Sequence, residues 1–218
     1  MNLLKKIFLV PAFALLATTQ ANAATFTSDF TGDNEVTGFS YFVDGVSTVV
    51  DFTDTGINLA GHDNWKVASS YDLTIADAAS SYQFVWDTVN FAGNGDNPSA
   101  FLAQFSLNDT VYLTDNSVTW EVMSAKTGGD WTTVTLNTFG GTDALNGGSN
   151  IWSKNAGTIS GISTESQWIW DGLSGAAGDE MSFRATVAVS AVPEPATLAL
   201  MLGGLGLVGF MASRRKQA

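Results

Sequence analysis

The sequence predicts an all-β protein: an antiparallel β-sandwich, preceded by a signal-peptide helix and followed by one C-terminal transmembrane helix. Three observations carry this reading. In the middle of the chain apolar residues recur at every second position, the period of a strand with one buried face and not the 3.6 spacing of a helix. Clusters of Gly, Asn, Asp and Ser separate the alternating runs at short intervals. Long uncharged apolar stretches fall near the two ends of the 218 residues, each flanked by basic residues.

At the N-terminus Lys5 and Lys6 precede the apolar stretch Ile7–Ala17, and Ala21-Asn22-Ala23 is a small-residue cleavage site. This is the layout of a secretory signal peptide, residues 1–23, whose removal by signal peptidase would leave Ala24 first. Residues 24–191 are one ectodomain's worth of chain, enough for a substantial core. Within it Phe183, Ala185, Val187 and Val189 alternate with Ser182, Arg184, Thr186 and Ala188. Val118, Trp120 and Val122 alternate in the same way, and Tyr82, Phe84 and Trp86 share one face of another run. Trp168 and Trp170 are expected to share one face of a fourth. The punctuation between runs is Gly93-Asn-Gly-Asp-Asn-Pro98, Thr127-Gly-Gly-Asp130 and Asn146-Gly-Gly-Ser-Asn150. Short alternating strands with such turns, and no long amphipathic helix, indicate the sandwich.

Charge and cysteine content narrow the function. The chain carries a net charge of −12, and between residues 24 and 191 four basic residues (Lys66, Lys126, Lys154 and Arg184) stand against twenty acidic ones, a net −16. Nucleic-acid phosphates need a positive partner, so that class is excluded. Adsorption of the ectodomain to anionic lipid is disfavoured for the same reason. The chain has no cysteine, although an exported protein is free to use disulfides. Packing must therefore hold the fold, which suits seven tryptophans and fourteen phenylalanines. Cysteine nucleophiles, iron–sulfur clusters and thiolate zinc sites are ruled out.

The C-terminal stretch reads VPEPATLALMLGGLGLVGFMASRRKQA, residues 192–218. Gly204-Leu-Gly206-Leu-Val-Gly209 is literally G-x-G-x-x-G, but a dinucleotide loop needs a following helix and an acidic residue about 20 positions on. Only nine residues follow Gly209, and three of them are Arg214, Arg215 and Lys216. An uncharged run from Ala196 to Ala212 would span roughly 26 Å as a helix, close to a ~30 Å hydrocarbon core. The basic cluster would stay cytoplasmic and everything before Pro193 would face outward. The order Pro193-Glu194-Pro195, short apolar helix, basic tip resembles the PEP-CTERM sorting signal of Gram-negative bacteria. The resemblance implies an exosortase that recognises Pro193, Glu194 and Pro195, removal of the helix after a transient stay in the inner membrane, and delivery to the cell surface or medium coupled to exopolysaccharide production. It thereby suggests a role in a biofilm matrix.

A second resemblance lies in the ectodomain. GDNEVTGFSYFVDG (32–45), HDNWKVASSYDLTI (62–75), NGDNPSAFLAQF (94–105) and TDNSVTWEV (114–122) occur in order. Together they look like the galactose-binding-like, discoidin-type jelly-roll domains that serve as carbohydrate-binding modules. Val43-Asp44-Gly45 stands at that family's asparagine turn and Asn97-Pro98-Ser99 at its N-P-A-like corner. Trp168-Ile-Trp170 and Phe183-Arg184 come last here, whereas relatives often carry such segments first. The stretch between Trp131 and Gly161 has no counterpart.

The candidate sites follow from residue chemistry. His62 is the single histidine; a Ser–His–Asp arrangement would have to use it, and no nucleophile-elbow sequence accompanies it. Paired carboxylates could hydrolyse a glycosidic bond, but Glu121, Glu165, Asp179 and Glu180 show no pairing pattern, so no catalytic residue is assigned. Asp33 and Glu35, or Asn94 and Asp96, could supply oxygen ligands to a structural calcium, though Asx-turn chemistry accounts for the same residue types. Trp65 in a polar loop offers a stacking face for a sugar, with His62, Asp63, Asp96 and Asn97 as hydrogen-bonding neighbours. Trp131 is expected to be a core residue at a strand start. The expectation is a non-enzymatic surface or matrix protein that contacts polysaccharide. A purely structural or adhesive matrix protein is the alternative, with a secreted glycan hydrolase ranked below both.

Overall fold

The computed structural model describes residues 23–50, 57–58, 64–75, 79–91, 99–115, 117–172, 178–189 and 203–205. Among them the chain forms β1 (Ala24–Gly32), β2 (Glu35–Val43), β3 (Val46–Val50), β4 (Ile57–Asn58), β5 (Ser69–Ile75), β6 (Ser81–Asn90) and β7 (Phe101–Leu107). There follow β8 (Thr110–Leu113), β9 (Thr119–Ser124), β10 (Thr132–Thr133), β11 (Thr135–Leu136), one short helix α1 (Ile151–Ala156), β12 (Ile169–Trp170) and β13 (Asp179–Ala188). The strands make two antiparallel sheets, β11-β12-β7-β1-β5-β4 with β8 alongside β7, and β10-β9-β13-β6-β2-β3. This is the expected all-β sandwich.

Turn chemistry sets two of the hairpins. Asp44 and Gly45 join β2 to β3 with φ of 46° and 87°, and Asn108 and Asp109 join β7 to β8 with φ of 49° and 64°. Two successive left-handed residues match the right-handed twist of the flanking strands, and Asp, Asn and Gly tolerate that region best. Asp44 does more than turn: its Oδ1 accepts from Ser80 N–H, Ser80 Oγ–H and Ser81 N–H, tying the hairpin to the start of β6. Those donors, the Ser80 hydroxyl first, hold the Asp44 carboxyl below the usual range.

Between the sheets lies an aromatic core. The alternating runs point inward as period two requires: Tyr82, Phe84 and Trp86 from β6, Trp120 and Val122 from β9, Met181, Phe183, Ala185 and Val187 from β13. Phe26 of β1 stacks on Phe84 at 4.2 Å, Phe101 of β7 on Phe183 at 4.8 Å, and Trp86 packs on Trp120 at 5.4 Å. Each such ring buries a large apolar area and adds edge or stacking energy. Packing of this kind takes the place of disulfides.

A second, smaller core lies on the other face of β7. Phe101, Ala103, Phe105 and Leu107 face the sandwich interior, whereas Ala100 and Leu102 join Ala144, Trp152, Ile159, Ile162 and Trp168. The segment 137–168 is what covers the outer face of that sheet. Its six-residue α1 is too short to stand alone in water. It is capped by Asn150, whose side chain accepts from Ser153 N–H, and it is buried through Trp152, stacked on Trp168 at 5.3 Å. Here one expectation is corrected. Trp168 and Trp170 do not share a core: β12 is only two residues long, so alternation ends at Ile169 and Trp168 turns to the second core while Trp170 enters the first.

Residues 1–22 of the signal-peptide segment lie outside the described residues, as does the C-terminal segment apart from a helical turn at 203–205. Among the described residues no helix is long and apolar enough to cross a membrane.

Candidate functional site

Of the residues expected to meet a sugar, the structure describes Trp65. His62, Asp63, Asp96 and Asn97 lie outside the described residues, as does Asn94. Trp65 is half-buried. Its ring meets Trp168 edge-on at 6.5 Å, and the Lys66 ammonium sits 5.3 Å from its centroid. The side chain is thus part support for the second core and part surface.

Asp33 and Glu35 are not alike. Asp33 is buried at 5 % exposure. Trp152 Nε1–H donates to its Oδ2 at 2.9 Å and Asn34 Nδ2–H to its Oδ1 at 2.8 Å. Burial pushes its pKa up to about 6 against the opposing pull of the Trp152 hydrogen bond. This carboxyl pins the covering segment to the sandwich. Glu35 opens β2, paired with Val89 of β6. Among the described residues no three His, Cys, Asp or Glu side chains gather as a metal site.

Trp131 departs from its expectation. It is half-buried beside β10, with the Arg184 guanidinium 4.1 Å above its ring, and Arg184 Nη2–H and Nε–H donate to Glu121 Oε2 at 2.6 and 3.0 Å. Arg184 occupies an outward position of β13, between the inward Phe183 and Ala185. Trp131 is therefore held to the outer surface of the second sheet by a cation–π contact and does not enter the core. Trp152 by contrast is buried, 1 % exposed.

The same outer surface carries a groove of about 750 Å³ across β2, β6, β13 and β9. Across it run Asp87 of β6, Ser182 of β13 and Met123 of β9 in direct register, with Thr37 of β2 alongside and Gly38 opposite Asp87. Ser182 Oγ–H donates to Asp87 Oδ1 at 2.6 Å, and Thr37 Oγ1–H donates to the Asp87 carbonyl at 3.3 Å. A register shift between Val36 and Gly38 places Gly38 opposite Asp87. A Cβ at Gly38 would stand 2.9 Å from Asp87 Oδ2, so the glycine clears the space the carboxylate fills. Phe91, 58 % exposed, stands at the rim, as does the Lys126–Asp179 ion pair of 2.5 Å.

Nothing in the sequence singled this groove out. Asp87, Ser182 and Thr37 are polar residues on the outward phase of alternating strands, where polar residues are ordinary. Only the register, which no local pattern reveals, brings them together.

No curated protein and no solved structure matches the chain. Residues 191–216 match the PEP-CTERM protein-sorting motif, which marks the chain for export and for handling by an exosortase.

Proposed function

We propose that this is an exported surface or matrix protein that associates with exopolysaccharide through its β-sandwich and performs no catalysis. The observation that carries the reading is the sorting motif at residues 191–216 attached to a disulfide-free, aromatic-cored sandwich. The sorting signal's resemblance, which implies export coupled to exopolysaccharide production, supports the polysaccharide part of this reading. The galactose-binding-like resemblance of the ectodomain and its strongly acidic charge support a carbohydrate-facing role over one on nucleic acid or lipid. Calcium held by Asn94 and Asp96 belongs to the same proposal.

Removal of residues 192–218 tests the sorting half. The truncated chain is expected in the soluble fraction while the full chain is held at the envelope or arrives processed at the surface, its C-terminus read by mass spectrometry. Identical partitioning of the two forms would defeat it.

One observation favours a second reading, a structural or adhesive matrix protein without a specific ligand. β3 is an edge strand, and its Val46 and Val49 are 71 % and 79 % exposed. An edge strand bearing exposed valines, with no Lys or Pro within it, is suited to pairing with another chain.

A further inference from the structure

We infer that the groove over β2, β6, β13 and β9 is a binding site for a neutral, hydroxyl-rich glycan chain. This assignment rests on the exopolysaccharide reading and gives it a surface and a ligand class.

The floor of the groove has the chemistry that hydroxyl groups need. The Asp87 carboxylate can accept about four hydrogen bonds, and Ser182 Oγ–H occupies a site on one oxygen. The remaining lone pairs can take charge-assisted bonds from neighbouring hydroxyls, which are stronger than neutral ones. The carboxylate is held through one oxygen and given room for the other before any ligand arrives. Ser182 holds Oδ1, and the missing Cβ of Gly38 makes the space for Oδ2. Such preorganisation reduces the ordering that binding would otherwise require. Phe91 at the rim and Met123 on the floor supply apolar surface for the C–H faces of sugar rings.

Electrostatics select the glycan class. The lining carries Asp87, Asp179 and Glu180 against Lys126 alone, and Lys126 is already paired with Asp179. The ectodomain around it is strongly negative. A polyuronate or sulfated chain would meet like charge at the site and over the whole surface, whereas a neutral polymer would not.

The test is affinity electrophoresis of the full-length protein in gels carrying dextran, galactan or mannan as neutral polymers, alginate as a polyuronate, and the producing cells' own exopolysaccharide. The wild-type protein should be retarded by a neutral polymer. Asp87→Ala should weaken that retardation roughly ten-fold or more, the loss of one charge-assisted contact. Gly38→Ala, which leaves Asp87 in place but displaces its carboxylate, should weaken it in the same direction. Both variants should melt with the wild type. If Asp87→Ala does not fold, Phe91→Ala decides, because that ring is exposed and its loss leaves the core intact. Retention that is unchanged in all three variants, or lost only in Trp65→Ala, overturns the groove while leaving the exopolysaccharide reading standing. Retention by alginate and by no neutral polymer overturns the ligand class. No retention of the wild type by any of the polymers defeats the exopolysaccharide reading itself, and the groove with it.

Discussion

Asp33 shows how much a single residue can mean once its neighbours are known. In sequence it is one of three polar residues in Gly32-Asp-Asn-Glu35, equally suited to a turn or a cation. In the fold it is a buried carboxyl whose two oxygens accept from Trp152 and Asn34. Its ordinary value of 3.8 rises to about 6 because burial disfavours the charge. Between those values the folded state therefore binds more protons than the unfolded state, so stability contributed by this group is full below about pH 4 and is lost as pH rises through 6. Asp143 acts with the opposite sign. Donors from Ser149, its hydroxyl first, and Leu145, together with Lys154, hold it below the usual range, so its contribution fades as pH falls. Substituting Asp33→Asn isolates the first effect. Urea unfolding at pH 4, 5.5 and 7 should show the variant gaining on the wild type as pH rises, by at most on the order of 2–3 kcal/mol. A constant difference across that range would mean that Asp33 is ionised alike in both states. Tryptophans divide along the same line. Period two located Trp86 and Trp120 correctly because each lies inside a long strand, whereas Trp131 and Trp152 lie beside or outside strands, where no period applies.

At the scale of elements, the sandwich was legible and the segment that covers it was not. Strands β6 and β13 each run ten residues with one buried face, so alternation has room to show. Asp44-Gly45 and the Thr127–Asp130 cluster announced their turns by residue type. Segment 137–168 has no alternation, and its Asn146–Asn150 cluster announces a turn without showing what the rest of the segment does. It is held by side chain-to-backbone bonds that local pattern does not encode, and Asn146 is its centre. Asn146 Nδ2–H donates to Ile159 O at 3.1 Å and Ile162 O at 2.8 Å, while Oδ1 accepts from Ile159 N–H at 2.8 Å. Asn146 does lie in the Gly-rich turn that its residue type predicts, but its side chain also ties together the backbone of 159–162. Because the residue is 1 % exposed, Asn146→Ala would leave several buried groups unsatisfied and should cost about 2–4 kcal/mol. Chemical denaturation measures the loss, and limited proteolysis should find new cleavage within 137–168. A cost below about 0.5 kcal/mol, the range of an ordinary surface change, would mean that the segment does not depend on this knot. The groove was illegible for a related reason: Gly38, Asp87 and Ser182 are far apart in sequence and meet only through register.

At the scale of the whole molecule, the question is whether the two cores are one cooperative unit. They share a strand: β7 sends Phe101, Ala103, Phe105 and Leu107 into the sandwich and, on its other face, Leu102 with the preceding Ala100 into the second core. Further ties cross between them. Asp33 accepts from Trp152, Asn137 Nδ2–H donates to Ser99 O at 2.7 Å, and Gln104 both donates to Gly161 O and accepts from Ser163 N–H, each at 2.8 Å. Loss of the second core would expose Leu102 and leave the buried Asp33 carboxyl without its Trp152 donor, and loss of β7 would open both cores at once. The described sandwich and its covering segment should therefore unfold together, in the two-state manner usual for single domains of this size. Far-UV circular dichroism follows the sheets, and tryptophan fluorescence reports on both cores, through Trp86, Trp120 and Trp170 in one and Trp152 and Trp168 in the other. The two signals should share one midpoint, and amides of 144–168 should exchange with the same opening free energy as those of β7. An earlier fluorescence transition that leaves the β spectrum intact would show instead that the covering segment is a separate, weaker unit docked on a sandwich able to stand without it.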